Sequence, residues 1–122
     1  MIKLVYCLTK RCDIDHDSFD RYWLEEHGPL VNSVAEAIGA SRCVQSHTIL
    51  PELNELMIES RGLQAPYDGV TEVWWETISP LEQGMSSAAG VEAQEKLIED
   101  EARFIDFSRS RVFMTEEHEI FS

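Results

Sequence analysis

The order of periodic segments along the chain predicts an α+β fold built on one four-stranded antiparallel sheet. Alternation of apolar and polar residues, typical of strands, occurs at residues 1–9, 41–50, 70–77 and 109–120. Stretches with apolar residues every three or four positions, typical of helices, follow the first and the third of these segments. The resulting β-α-β-β-α-β order is the ferredoxin-like arrangement, and we expect a single domain over residues 1–122.

The first strand and the first helix are predicted from their boundaries as well as from their spacing. Residues 1–9 form the strand, and Asp15 is the expected N-cap of the helix, since its carboxylate can accept from a free backbone amide. Gly39 is expected to end the helix. The apolar face recurs every four residues, with an interruption by Gly28-Pro29: Phe19, Trp23, His27, Leu30, Val34 and Ile38.

The middle of the chain is predicted to hold two strands separated by an excursion. Residues 41–50 form the second strand, which Pro51 should stop. A short helix is expected over Glu52–Ser60 within the excursion at 52–66. Turn residues at 67–69 then lead into the third strand.

A second helical region and a last strand complete the predicted fold. Ser79 is the expected cap with Pro80 in the first position, and two glycines, Gly84 and Gly90, should interrupt the region. The main helix is then predicted over 91–106. Its expected apolar stripe consists of Val91, Ile98, Ala102 and Ile105, flanked by Leu97 and Phe104.

The composition narrows the range of partners. A net charge of −13, from 23 acidic and 10 basic residues, argues against nucleic acid and anionic membranes, which require clustered Lys and Arg. A small neutral or cationic molecule fits better. No apolar run approaches the length of a membrane span, and the opening MIKLVYCL lacks a cleavage pattern, so it is interpreted as the first strand. Three cysteines without a CxxC motif suggest the cytoplasm.

The third strand predicts that the sheet is covered on both faces. Its alternation places Glu72 and Trp74 on one face and Val73 and Trp75 on the other. Two helices can cover only one face, and a large exposed aromatic face is unfavourable in a soluble monomer. We therefore expect a homodimer that packs sheet against sheet, with a cavity between the two sheets lined by the Glu72 and Trp74 face.

His27, immediately before Gly28-Pro29, admits two interpretations. Pro29 cannot donate a backbone hydrogen bond, and the residue before a proline is biased away from helical angles, so the helix should kink or restart here. The imidazole could point into a cleft, where its near-neutral titration suits catalysis, or could secure the kink through a ring nitrogen. The sequence leaves both open.

Further candidate site residues lie on the predicted sheet. Glu72 is the candidate acid or base, because burial in a cavity would raise its pKa, unless an arginine such as Arg42 or Arg111 pairs with it. Trp74 would form an apolar wall for a ring. The remaining candidates for substrate binding are Tyr6, Tyr67, Arg42 and His47, of which Tyr67 could equally be a packed anchor and His47 a structural sheet histidine.

Three segments resemble the EthD family of the dimeric α+β barrel superfamily: FDRYWLEEHGPLV (19–31), YDGVTEVWWE (67–76) and EDEARFID (99–106). With the first strand, the resemblance spans essentially the whole chain. It implies a ferredoxin-like protomer that pairs through its sheets, and its pattern falls on His27, Asp68, Gly69, Glu72 and Trp74. Asp100, Glu101 and Phe104 match its late helix, although the first two alone are typical of helix termination or a solvated face. Members of the superfamily catalyse different reactions, so the fold does not fix the chemistry.

The sequence therefore predicts a cytoplasmic protein that binds a small aromatic, lactone or polyketide-like metabolite. The leading interpretation is proton transfer without a cofactor or metal, in an isomerisation, dehydration or cyclisation, with Glu72 moving the proton and His27 assisting. A non-catalytic binding or accessory protein of an oxidation system is the alternative, and a structural dimer with a filled barrel is a third. No metal-ligand spacing, phosphate-binding loop or nucleophile motif is present.

Overall fold

The computed structural model describes residues 1–122 and has the predicted ferredoxin-like topology. Its strands are β1 (Ile2–Leu8), β2 (Arg42–His47), β3 (Gly69–Trp75) and β4 (Arg111–Glu116). Its α-helices are α1 (His16–Tyr22), α2 (Gly28–Val34), α3 (Pro51–Arg61), α4 (Ile78–Ser86) and α5 (Ala88–Glu101). A π-helical turn, Trp23–His27, joins α1 to α2, and a short 3-10 turn, Phe107–Arg109, precedes β4. None of the helices is both long and apolar enough to cross a membrane.

The four strands form one antiparallel sheet in the order β2-β3-β1-β4. The register places Gln45, Thr71 and Tyr6 side by side across the sheet. Side chains of this row point toward the helices, on what we call the helix-side face. The adjacent row, which includes Glu72 opposite Val5 and Val44, lies on the other side, which we call the open face.

The first helical segment stays continuous across the Gly28-Pro29 pair. Asp15 caps α1 as predicted, because its carboxylate accepts from the amide of Ser18 at 2.7 Å. The helix is irregular where the sequence predicts a kink or a restart, but Gly28 keeps helical angles (φ −53°, ψ −52°), and its amide donates to the carbonyl of Trp23, five residues earlier. One widened turn thus accommodates a proline that cannot donate.

The core next to this segment consists of large aromatic and aliphatic side chains. A cluster of five buried residues joins β1, the first helix and the segment after α5: Leu8, Phe19, Trp23, Phe104 and Ile105. Gly69 at the start of β3 admits the indole of Trp23, because a Cβ there would lie only 2.4 Å from it. The strand after Asp68 therefore has to begin with glycine for the core to close.

The second helical region differs from the prediction at its boundaries. The first helix begins at Ile78 rather than after Ser79, and the break falls at Ser87, whose hydroxyl accepts from the amide of Gly90 and caps α5. Gly84 and Gly90 lie within the helices. α5 ends at Glu101, because Lys10 and Ile105 then form a β-bridge.

The predicted apolar stripe of the last helix is corrected by the burial pattern. Val91 and Ile98 are exposed, whereas the flanking Leu97 and Phe104 are buried. The predicted strand 109–120 is also shorter, because the 3-10 turn occupies its start. The burial of Leu97 and Phe104 shows how α5 is rotated about its axis. This rotation determines which polar residues of α5 face the interior.

Candidate functional site

The main cavity lies between the helix-side face of the sheet and the helices. Its volume is about 1030 Å³, and most of its lining residues are hydrophobic. Leu4, Val73 and Trp75 form the sheet side, and Leu97 of α5 lies among the helical residues that line it. This space lies on the opposite side of the sheet from Glu72 and Trp74, where the sequence predicts a cavity between two copies. That second cavity stays a prediction, because it would form only in the dimer.

His27 supplies an imidazole nitrogen to this cavity. The π turn ends at this residue, which is 6% exposed and lines the cavity. Its Nδ1 lies 2.7 Å from Oδ2 of Asp100, and its ring packs edge-on against Phe104. Nε2 has no protein partner, and no buried polar side-chain atom is left unpaired, so Nε2 is accessible from the cavity. One ring nitrogen of His27 is thus tied to another helix, and the ring also lines the cavity.

Asp100 fixes the orientation of His27. Asp100 lies in the last turn of α5, and its carboxylate also accepts a hydrogen bond from the hydroxyl of Tyr22 at 2.5 Å. A carboxylate can only accept, so it holds the proton of a neutral imidazole on Nδ1. The lone pair of Nε2 is then directed to the cavity. Burial and the hydrogen bond to Asp100 both raise the pKa of the Tyr22 phenol, so Tyr22 remains a donor.

Glu101, next to Asp100 in the chain, places a carboxyl group on the cavity wall. The hydroxyl of Tyr6 donates to its Oε1 at 2.9 Å. Burial raises the pKa of Glu101 to about 7; this hydrogen bond lowers the pKa and the charge of Asp100 raises it. Burial likewise raises the pKa of Tyr6, which stays protonated. Near neutral pH, Glu101 therefore exists in both its protonated and its ionised forms.

Three of the residues singled out in the sequence border the cavity. Tyr6 and His27 line it from β1 and from the π turn. Arg42 lies at its rim, but the guanidinium stacks over the Trp74 ring on the open face, with 4.5 Å between the guanidinium carbon and the ring centroid. Tyr6 contacts Glu101 and His27 contacts Asp100, and these two acids are adjacent in the chain.

Glu72 and Trp74 lie on the open face, apart from His27. Glu72 pairs with Lys3 at 2.8 Å rather than with an arginine, and the Trp74 indole donates to Glu117. Because the sheet separates Glu72 from His27, the two cannot act on one ligand within a protomer. This arrangement corrects the expected pairing of their roles.

Tyr67 and His47 are also outside the main cavity. Tyr67 borders a smaller polar pocket at the end of the sheet with Asp68 and Arg109. His47 stacks on Trp23 with 4.2 Å between ring centroids and contacts Asp20 and Gln45. Neither residue is among those that line the cavity in front of His27.

Sequence reasoning from spacing missed three polar residues of the site. Asp100 and Glu101 were interpreted as helix-terminal or solvated, and Gln45 was not considered. One signal was available, because both acids fall between the buried residues Leu97 and Phe104. Asp100 is three residues after Leu97 and four before Phe104, and Glu101 is four after and three before, so both have the spacing of a shared helical face. Acidic residues at a helix C-terminus also oppose the helix dipole, so a compensating contact was to be expected.

The site combines one base, one group able to act as an acid, and apolar walls. Nε2 of His27 can accept a proton, and the protonated form of Glu101 can donate one. Gln45 and Thr71 add hydrogen-bonding groups on the sheet wall. Among the lining residues, Glu101 is the one carboxyl group and Arg42, at the rim, is the one permanent cation. Such a cavity favours a ligand that is neutral and largely apolar.

The fold is an α+β, ferredoxin-like arrangement with a cavity between its sheet and its helices. The EthD domain matches residues 11–108, and the chain belongs to the EthD family. The search of curated proteins returned no match.

Several solved structures share the fold at low sequence identity. An EthD family protein from Bacillus halodurans is 17% identical, with 97% of this chain and 99% of that chain covered and a TM-score of 0.64. An EthD-like protein from Ralstonia eutropha is 11% identical, with coverage of 94% and 90% and a TM-score of 0.55. SnoaB, a cofactor-independent oxygenase from Streptomyces nogalater, is 8% identical, with coverage of 97% and 93% and a TM-score of 0.55. At these identities the likeness shows the fold alone.

Proposed function

We propose that this protein binds a small neutral metabolite in the cavity between sheet and helices and transfers a proton on it. The observation that carries the proposal is the free Nε2 of His27, backed by Asp100 and directed into a mostly apolar cavity. Excluding water from such a space strengthens each polar contact that a ligand makes there.

His27 is the proposed base. With its Nδ1 proton held by Asp100, Nε2 removes a proton from a carbon next to a carbonyl or from a phenolic hydroxyl. The imidazolium that forms is stabilised by the adjacent carboxylate. Asp100 therefore both orients the base and offsets its charge, and Tyr22 in turn fixes Asp100.

Glu101 is the proposed acid. When protonated, its carboxyl donates to the oxygen on which negative charge develops as the proton leaves carbon. The hydroxyl of Tyr6 holds the carboxyl in place. The proton taken by His27 returns at another carbon in an isomerisation, or leaves with a hydroxyl as water in a dehydration. Both steps balance without a further reactant.

The cavity suits an aromatic, lactone or polyketide-like metabolite. Its volume of about 1030 Å³ exceeds that of a single ring, and aromatic walls are supplied by Trp23 and Trp75. One polar edge of the ligand would face His27 and Glu101. The dominance of apolar side chains elsewhere leaves few partners for a highly charged molecule.

A carbon-acid probe tests the proposal without knowledge of the natural substrate. We suggest 2-tetralone, a neutral bicyclic ketone whose acidic C1 hydrogens exchange in D2O, followed by proton NMR. Wild-type protein should accelerate exchange beyond buffer alone. His27→Gln should lower the protein-catalysed rate by about 100-fold or more, the usual contribution of a positioned base.

The matched control is His118→Gln. His118 is an exposed histidine that contacts only Glu116, so its replacement should leave the exchange rate unchanged. Equal exchange by wild type and His27→Gln would remove His27 from the proposed mechanism. Glu72→Gln is a second control, because its side chain lies on the other face of the sheet.

A binding or accessory role is the second candidate, favoured by the size of the cavity relative to its few polar groups. Such a protein would hold a metabolite for another enzyme without changing it. The same probe separates the two functions. Binding of 2-tetralone, seen as NMR line broadening, without accelerated exchange in wild type would favour the binding role.

We also propose that two copies pair through their open faces. This face carries Val5, Val44 and Val70 in half-buried positions and Phe113, which is 49% exposed, and no helix covers it. Arg42 and Lys3 cover the ring of Trp74 there. Pairing of two such faces would bury this apolar surface, as in other sheet-on-sheet packings.

The proposed compartment is the cytoplasm. Cys7, Cys12 and Cys43 are all free in the structure. Thiols that remain unpaired are typical of a reducing compartment.

A further inference from the structure

A chain of hydrogen bonds runs from helix α1 through His47 to the π turn that carries His27. Nδ1 of His47 lies 2.9 Å from Oδ1 of Asp20, and its Nε2 lies 2.9 Å from Oε1 of Gln45. The amide nitrogen of Gln45 donates to the carbonyl of Trp23 at 2.8 Å. That same carbonyl accepts from the amide of Gly28 across the π turn.

Only one arrangement of donors and acceptors is possible along this series of hydrogen bonds. The Trp23 carbonyl can only accept, so the NH2 group of Gln45 must face it, and the Gln45 oxygen must face His47. The Asp20 carboxylate also only accepts. Both ring nitrogens of His47 therefore face acceptors, and both contacts are hydrogen bonds only when both nitrogens carry a proton.

His47 is surrounded by an aromatic ring and by carboxylates. Its ring stacks on the indole of Trp23, whose face attracts positive charge. The charged groups on the packed elements are Asp20, which His16 also contacts at 3.2 Å, and Asp68, which lies 3.5 Å from the other nitrogen of His16. His16 and His47 therefore share the carboxylate of Asp20.

We propose that doubly protonated His47 is a positioning residue that holds the π turn through Gln45, and that its loss of a proton loosens the turn and misaligns His27. The inference rests on the proposed role of His27, since it concerns the regulation of that same site. When His47 is neutral, one of its two acceptors has no donor. The carboxylate of Asp20 keeps the remaining proton, because charged acceptors form the stronger bond.

Loss of the His47 donor acts directly on the cavity. Gln45 lines the cavity and holds the carbonyl of Trp23, and the ring of His27 lies at the end of the same turn. Without His47, the Gln45 amide is free to rotate away from Trp23. We expect base-catalysed exchange of 2-tetralone to fall about fivefold in the step in which His47 loses its proton, the usual effect of one lost hydrogen bond.

Long-range proton–nitrogen NMR of the four histidines tests the inference without a ligand. Spectra recorded from about pH 5 to 9, the range in which imidazoles titrate, show which ring nitrogens carry protons. Wild type should show two protonated nitrogens on His47 at the acidic end. The signals of His27 should then shift in the same step in which His47 loses a proton.

Gln45→Met separates positioning from simple stability. This variant keeps the side-chain length but has neither the oxygen facing His47 nor the donor to Trp23. The titration of His47 should persist and the shift of His27 in that step should disappear, along with that step in the pH profile of exchange. His118→Gln, at an exposed site, should retain the wild-type coupling.

Three results would overturn the inference: a single protonated nitrogen on His47 throughout the range, signals of His27 that do not respond to His47, or coupling that survives in Gln45→Met. Failure of the proposed function is a separate outcome. Coupled histidines in a protein that does not accelerate exchange would refute the proton-transfer proposal and support the positioning of His27 by His47.

Discussion

Nδ1 of His27 and Oδ2 of Asp100 lie 2.7 Å apart, although 73 residues separate them in the chain. The first residue ends the π turn and the second lies in the last turn of α5, so the two helical regions meet at this contact. In the proposed mechanism, this contact orients the imidazole of His27 and leaves Nε2 for a ligand. Most of the proposed chemistry depends on this contact.

Replacing Asp100 with Asn should lower the exchange of 2-tetralone by about 10- to 100-fold, within the range that positioned acid–base groups contribute. The amide can present its NH2 group to Nδ1, which would move the imidazole proton to Nε2 and block the base. The exchange rate and the nitrogen shifts of His27 are both measurable. Glu99→Gln, at the exposed neighbouring position, is the control. An unchanged His27 tautomer in Asp100→Asn would contradict the role of Asp100 in holding the Nδ1 proton.

Replacing Tyr6 with Phe should raise the pKa of Glu101 above its value of about 7. The Tyr6 hydroxyl donates to the ionised carboxyl, so its removal disfavours the charged form. Carbon-13 NMR of the Glu101 carboxyl gives the titration midpoint. Tyr67→Phe, in a different pocket, should leave it unchanged, and a fall of the midpoint in Tyr6→Phe would contradict the account.

Replacing Glu101 with Gln should stabilise the protein increasingly between pH 4.5 and 7. The native state keeps a proton on Glu101 up to about pH 7, whereas the unfolded chain releases it near 4.5, so wild type loses stability as the pH rises through this window. The gain in the free energy of unfolding should be near zero at pH 4 and reach at most about 3 kcal/mol above pH 7. Urea unfolding at several pH values measures it, and a pH-independent difference would argue against a buried, proton-bearing Glu101.

Replacing Gly69 with Ala should destabilise the fold by several kcal/mol, about 2 to 4, because the new methyl group overlaps the indole of Trp23. Gly28→Ala is the matched control. Gly28 is helical, and its added Cβ would make only ordinary contact with Gln45 at 3.5 Å, so its effect should stay within about 1 kcal/mol. Thermal unfolding of both variants measures the difference, and equal melting temperatures would contradict the close approach of Trp23 to Gly69.

Replacing Phe113 with Glu should weaken the proposed dimer, because it places a charge in the centre of the apolar open face. Light scattering coupled to size exclusion should give about 28 kDa for wild type, twice the chain mass of 14.0 kDa, and a smaller value for the variant. Leu56→Glu, on the exposed α3, is the control. A wild-type monomer at micromolar concentration would contradict pairing through this face.

The sequence predicted the topology because strands and helices here follow their periodicity closely. Every predicted strand is present, Asp15 caps the first helix, and Gly39 follows the second helix with a φ of 73°. The EthD resemblance was also confirmed. The π turn was not foreseen, since a Pro preceded by Gly indicates a break and a continuous widened turn leaves the same pattern.

The side of the sheet that holds the cavity could not be predicted from alternation alone. Alternation separates Glu72 and Trp74 from Val73 and Trp75 but does not say which pair faces the helices. Only the packing of Trp23 against Gly69 decides this. The positions of Asp100 and Glu101 depend on how α5 is rotated about its axis. The sequence does not determine this rotation, because Leu97 and Ile98 are adjacent and both apolar, yet only Leu97 is buried.

A crystal structure with 2-tetralone bound would test the central claim most directly. We predict the ligand between the sheet and the helices, with its C1 carbon within about 3.5 Å of Nε2 of His27, the distance of a reactive arrangement. Its oxygen should face the carboxyl of Glu101. A ligand between the two open faces, beside Glu72 and Trp74, would contradict the account and restore the cavity that strand alternation first suggested.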